Sequence, residues 1–338
     1  MMEWVRIAAV ALLLLYGGAG GPVAAEVPAP KPVPTAKANA DQSLLRLDWV
    51  LHGLTSPFQL GLSRQAYKAE GIELRIEDGK GPAATLAEVA SKGAVFGLVD
   101  GATLVRSVGQ GAPVKAVMSV MASSPLGVVV RRDAEIKTLA DLAGKRVAAT
   151  TGEPGIALLL AALKAQGIDS RKVEIVGMDG IQKLVSVAEG RSHALIGGAD
   201  NHAVVLGLRG VPATTLPFSD AGLPMVGLVV IAHNDTIRDQ PALVRGFVRA
   251  TQQAYAAAER DPEVAVSALP KLRPGAERAF PLQRLKAALL LLRIDAATPF
   301  GAMTEAAWVA TIKTMATFET LKPSPSPSLL FTNQFVVP

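Results

Sequence analysis

The 338-residue chain contains no cysteine. Disulfides, a thiolate nucleophile, cysteine-ligated zinc and a lipid anchor on an N-terminal cysteine are therefore excluded. Aromatic residues are scarce at 4%, and charged residues make up 19%. The net charge of +5 is a modest basic excess, with no block of five or more Lys/Arg and no aromatic–basic interleaving. Nucleic acid is not an expected partner. No apolar run approaches the roughly 20 residues that a spanning helix needs. The four histidines, His52, His193, His202 and His233, show neither H-x3-H nor H-E-x-x-H spacing, so no zinc site is expected. A G-x-S-x-G nucleophile turn, a P-loop and a dinucleotide-binding glycine motif are also missing. No cofactor and no covalent chemistry is predicted.

What is present begins with a leader. Arg6 precedes an apolar stretch over 7–16, small residues follow, and Val23-Ala24-Ala25 fits a small-x-small cleavage pattern before Glu26. This predicts a signal peptide over 1–25 and export to the periplasm without a lipid anchor. Residues 26–43 are rich in proline and alanine, which suits an extended tether. Half of the chain is hydrophobic, enough for a sizeable core, and its length suits about two domains.

From residue 44 onward, short apolar strands alternate with helical segments. Strands are predicted at 44–49, 72–76, 94–99 and 114–120, then again at 127–130, 146–149, 173–176, 194–197 and 225–231. Helices are predicted at 63–70, 85–92, 138–142, 154–166 and 182–189, and in an all-helical end at 241–260, 262–269, 282–292 and 304–320. The βαβα order implies α/β architecture, two units each built on a mostly parallel sheet flanked by helices. Two arrangements are open, independent beads or two units facing each other across a hinge. The short connections favour the second, which gives lobe 1 over 44–125 and 223–322, lobe 2 over 126–222, and a proline-rich tail over 323–338 lying on the surface.

Parallel α/β sheets bind ligands beyond the carboxyl ends of their strands, against helix starts. Two glycine-bearing turns sit at such positions, GKGPA (79–83) and TTGEPG (150–155). Backbone N–H groups there would approach a small polar molecule, and the helix dipoles would favour it. Tight connections that need glycine for steric reasons are the alternative. The candidate ligand-binding residues are Trp49, His52, Phe58, Gly81, Pro82, Ala83, Asp100, Thr150, Thr151, Gly152, Asp200, Asn201 and Asp220. Asp100 and Asp200-Asn201 also suit helix caps, and Trp49 suits either a stacking platform or the core.

The phrases LDWVLHGLTSPFQLGLSRQAYKAEGIELRIEDGKG, ASKGAVFGLVD, GAPVKAVMSV, IKTLADLAGKRVAATTGEPG, VAEGRSHALIGG and DAGLPMVGLVVIAHND resemble the solute-binding proteins of ABC importers. The resemblance is to the nitrate/sulfonate/taurine and thiamine-pyrimidine (NMT1-like) group. It implies a two-lobed, type II periplasmic-binding-protein fold that closes on one small solute and docks, as a monomer, on a membrane permease. Val95 and His193 stand where relatives usually carry an acid. Several acids and few basic groups among the candidate pocket residues point to an organic solute, pyrimidine-like, with a sulfonate or carboxylate as the other option. Two rival readings are a pyrimidine-precursor synthase-like enzyme and a binding lobe that serves a sensor. The missing cysteine argues against the enzyme, because those relatives use a cysteine-bearing segment.

Overall fold

The computed structural model describes residues 43–270, 278–295, 297–321 and 323–337. The predicted leader and nearly all of the predicted tether lie outside the described residues; Ser43 already opens the first strand.

Two five-stranded sheets organise the molecule. The first holds β1 (Ser43–Arg46), β2 (Leu74–Glu77), β3 (Phe96–Asp100), β4 (Val114–Ser119) and β10 (Leu228–His233), in the order β2-β1-β3-β10-β4. The second holds β5 (Leu126–Arg131), β6 (Arg146–Thr150), β7 (Glu174–Met178), β8 (Ala194–Gly198) and β9 (Ala213–Pro217), in the order β7-β6-β8-β5-β9. In each sheet four strands run one way and one runs against them. The reversed strand is β10 in the first sheet and β5 in the second. Each reversed strand follows a crossing between the sheets, so the mixed pattern records where the chain changes sheet. The crossing segments run side by side: the amides of Val120 and Met121 donate to the Leu228 carbonyl, and the Ser124 amide donates to that of Met225.

The strands are apolar on both faces because helices cover both. In β3, Phe96 and Leu98 pack to one side and Val99 to the other; in β5, Val128 and Val130 oppose Val129. Alternation with period two assigns these side chains to opposite layers. Covering the first sheet are α1 (Ser56–Ser63), α2 (Ala66–Ala69), α3 (Pro82–Ala90) and α4 (Gly101–Gly109). Around the second lie α5 (Gly155–Ala165), α6 (Gly180–Ala188) and α7 (His202–Leu208). The remaining helices are α8 (Asn234–Asp239), α9 (Pro241–Arg260), α10 (Pro262–Ser267), α11 (Ala279–Leu289), α12 (Glu305–Met315) and α13 (Pro327–Leu330).

The long helix α9 returns to the first sheet and seats Phe247 against Phe96, ring centroids 4.0 Å apart. Phe58 and Tyr67 stack on the same ring. Phe58 is therefore a core residue with no exposed surface, and its predicted place in the ligand site is corrected. The reason is that the helix after β1 starts at Ser56 rather than near 63. Pro57 sits comfortably in that first turn, and Phe58 falls on the inner face.

Among the elements with no expectation from the sequence are α4, α8, α13 and the edge strand β9. The ATTLP stretch of β9 is half exposed, polar and ends in proline, features of an edge strand that leave little periodic signal. The tail is also corrected. Leu330 and Phe335 are buried, Phe331 forms a bridge to Ala116, and the Thr332 amide donates to the Ala116 carbonyl. The tail is part of the first sheet's packing. Among the described residues, no helix is long and apolar enough to cross a membrane and no His/Asp/Glu cluster could hold a metal ion.

Candidate functional site

The carboxyl ends of β1, β3, β6 and β8 open on one cleft between the two sheets, with a volume of about 450 Å³. From the first sheet's side come Asp48, His52, Leu54, Asp100 and Thr103; Glu153, Gly155, Lys183, Asp200 and His202 face them from the second. The crossing segments supply the floor at Ser124-Pro125 and Met225–Gly227. A wider outer chamber of about 920 Å³ holds Trp49, Pro82 and Phe280. The two spaces share Asp48, His52, Asn201 and Arg284. Volumes of this order suit a small organic molecule, for which clefts of roughly 300–1,000 Å³ are usual.

Of the residues expected from sequence, His52, Asp100, Asp200 and Asn201 meet in the inner cleft, and Trp49 and Pro82 stand at the outer chamber. Trp49 is 57% exposed, so it is not a core residue. The others lie elsewhere. Gly81 donates its amide to the Asp48 carbonyl at 2.9 Å, and Ala83 is exposed away from both spaces. After β6 the chain leans toward β7, with the Thr151 amide on the Met178 carbonyl, so Glu153–Gly155 face the cleft in place of Thr150, Thr151 and Gly152. Gly81 and Gly152 have φ of +111° and +77° with open space around each. Their glycine requirement is a backbone one, which is the steric alternative for both turns. Asp220 is exposed in the turn after β9.

Most charges in the cleft already have partners. Asp100 caps α4, accepting from the Thr103 amide at 2.8 Å and its hydroxyl at 2.7 Å. This acid therefore satisfies the helix start that an anion would otherwise use. Lys183, almost wholly buried, donates to Glu153 Oε2 at 2.8 Å and to the Ile196 carbonyl at 2.9 Å. Arg106 pairs with Glu319 at 2.9 Å. Arg284 reaches across the cleft from α11 to Asp200, Nε to Oδ2 at 3.4 Å. Asp200 is thus an ion-pair partner rather than a helix cap.

Two groups stand apart. Asp48 Oδ1 and His52 Nδ1 are enclosed yet have no hydrogen-bond partner among the described residues. Burial raises the Asp48 carboxyl to about 6, against the opposing pull of the Arg284 charge. Burial, helped by Arg284, pushes His52 down to about 3. At neutral pH the His52 imidazole is uncharged, while the Asp48 carboxyl keeps its proton to higher pH than an ordinary aspartate. His202 is likewise neutral, lowered to about 4 by burial and then by Lys183 and Arg284; its Nδ1 accepts from the Gly198 amide at 3.1 Å. Buried polar atoms without partners carry a cost of about 1–3 kcal/mol each. Four other such atoms, on Ser119, Thr215, Trp308 and Glu319, lie outside the cleft lining, whereas those of Asp48 and His52 line it, where a ligand would complete their hydrogen bonding.

Sequence reasoning missed Asp48, Lys183 and Arg284 as cleft residues, whereas Glu153 and His202 lie in the strand-end turns it singled out. Asp48 lies two residues beyond the end of β1 and was open to the same strand-end argument as Asp100. Arg284 had no signal, because nothing in a helix so far along the chain shows that it folds back over the cleft.

A paired-sheet body with two crossing segments and a cleft at the strand ends is the fold of the periplasmic solute-binding proteins. The aliphatic sulphonate-binding protein SsuA of Escherichia coli has it, with a TM-score of 0.64 and 16% identity over 82% of this chain and 86% of that one. So does DszB in complex with biphenyl-2-sulfinic acid, at a TM-score of 0.59 and 16% identity over 87% and 97% of the two chains. A family model described as NMT1/THI5 like matches residues 57–265. The chain belongs to that family. A curated relative, the riboflavin-binding protein RibY of Chloroflexus aurantiacus, is 29% identical over 252 residues, covering 71% of this chain and 69% of that protein.

Proposed function

We propose that the chain is the periplasmic solute-binding component of an ABC importer, capturing a small, uncharged, ring-bearing organic solute between its lobes and releasing it unchanged to a membrane permease. The observation that carries this reading is the enclosed pair Asp48 and His52, unpartnered in a cleft whose other charges are matched. Apolar side chains such as Met121, Leu126, Leu158 and Met225 supply the walls for a ring. Arg106, Lys183 and Arg284 each already face a carboxylate, so a bare sulfonate or nitrate would find no uncompensated cation among the described cleft residues. The riboflavin recorded for the relative fits the same description and is the first solute to try.

Two further polar groups of the cleft are engaged locally. Thr103 donates its hydroxyl to Asp100, and His202 engages the Gly198 amide.

A thermal-shift panel of riboflavin, uracil, taurine and nitrate tests the reading. A solute present at about 100 times its Kd adds about 2.7 kcal/mol of stability. Riboflavin or uracil should raise the melting temperature and be recovered intact. Steady conversion of either, or a response confined to taurine or nitrate, would count against the proposal.

A further inference from the structure

Helix α11 lies beyond the stretch that the family model matches, yet it forms one wall of both spaces through Arg284. The helix is seated firmly on the first sheet's half. Gly53, between His52 and α1, lies so close to the Pro281 carbonyl that a Cβ there would overlap it. From that seat Arg284 reaches the opposite half.

The Arg284 side chain is only 17% exposed, and its described hydrogen bonding is a single long contact from Nε to Asp200. A guanidinium carries five N–H donors in a fixed fork. Its two Nη groups have no hydrogen bond among the described residues, and neither is wholly enclosed. Asp48 Oδ1 and His52 Nδ1, at the same junction, also have no partner. Donors on one group thus stand beside an acceptor and an imidazole on two others. Asp200 contacts the guanidinium and Asp48 is near enough to feel its charge, so an anionic solute there would meet two acidic groups.

We propose that Arg284 is a specificity-determining residue of the cleft: its free Nη donors take a solute carbonyl while Asp48 and His52 take the adjoining N–H, so the site selects an uncharged ring with a carbonyl–N–H edge. This rests on the solute-capture reading above and extends it to the edge that is recognised. The planar fork matters here. A lysine would keep the charge opposite Asp200 and lose the paired donors.

The test uses the full chain and isothermal titration with riboflavin, uracil, taurine and nitrate, on wild type, Arg284→Met, Arg284→Lys and Asp200→Asn. Melting temperatures of the unliganded variants establish that each is folded. Wild type should bind riboflavin or uracil. Arg284→Met should lose about tenfold or more in affinity, and Arg284→Lys should fail to restore it. Asp200→Asn, which removes one flanking acid, should relax the discrimination against taurine. Affinity within about twofold of wild type in folded Arg284→Met would overturn this inference and leave the solute-capture reading standing. Preference of wild type for taurine or nitrate would overturn the proposed edge. Failure of wild type to bind any of the four would overturn the solute-capture reading and this inference together.

Discussion

Gly53 and Pro281 touch backbone to backbone, leaving no room for a side chain at position 53. The two residues are far apart in sequence, yet this contact decides how closely α11 approaches the cleft. Gly53→Ala should push the helix outward and cost about 1–3 kcal/mol, as overpacking does in a tight core. Thermal unfolding would measure the loss, and hydrogen exchange should show faster exchange confined to α11. An unchanged melting temperature would mean that the helix adjusts freely.

An aromatic cluster packs under the first sheet. Phe247 touches Phe58, Tyr67 and Phe96, and all four are buried. Phe247→Ala should destabilise the chain by about 3–5 kcal/mol, read by denaturant unfolding. Phe58→Ala should behave the same way. If Phe58 acted mainly on the solute, its loss would weaken binding and leave stability alone.

The tail offers a separate check. Leu330 and Phe335 are buried against the first sheet, so removing residues 323–338 should lower the melting temperature clearly. A tail lying loosely on the surface would come off with no measurable change.

The cleft residues give opposing pH effects. For His52 and His202 the folded values, about 3 and about 4, lie below the usual 6.5. The unfolded chain therefore binds more protons in that interval, and stability is full above pH 6.5 and is lost as pH falls toward 4. Asp48 has the opposite sign. Its folded value of about 6 lies above 3.8, so the native state binds more protons and stability falls as pH rises from about 4 to 6. Asp48→Asn should raise the stability of the unliganded protein at pH 7. His52→Gln should flatten its decline between pH 6.5 and 4. Urea unfolding across pH 4–8 would separate the two, and parallel curves for wild type and Asp48→Asn would refute the assignment for Asp48.

Much of the architecture was readable from the chain itself. Apolar runs such as 94–99 and 194–197 are buried on both faces, and period-two alternation together with proline and glycine at helix ends is a local property that survives folding. The motif phrases carried the family, and the strand-end rule led to His52, Asp100, Asp200 and Asn201. The same local reading placed Phe58 and Gly81 in the site. It had no means of knowing that Pro57 starts a helix early, or that the Gly81 amide is already taken by the Asp48 carbonyl.

Tertiary structure alone decided how the cleft is finished. Sequence determined that two α/β units would form and roughly where their strands would end, because hydrophobic periodicity and turn chemistry act over a few residues. It could not determine that Arg284 would face Asp200, that Lys183 would be engaged by Glu153, or that Asp48 and His52 would be left without partners. Those facts depend on pairing groups between 30 and 84 positions apart, and on solvent being excluded where the two sheets meet. Contacts at such separation are set by the packing of whole layers, and no local pattern in the chain records them.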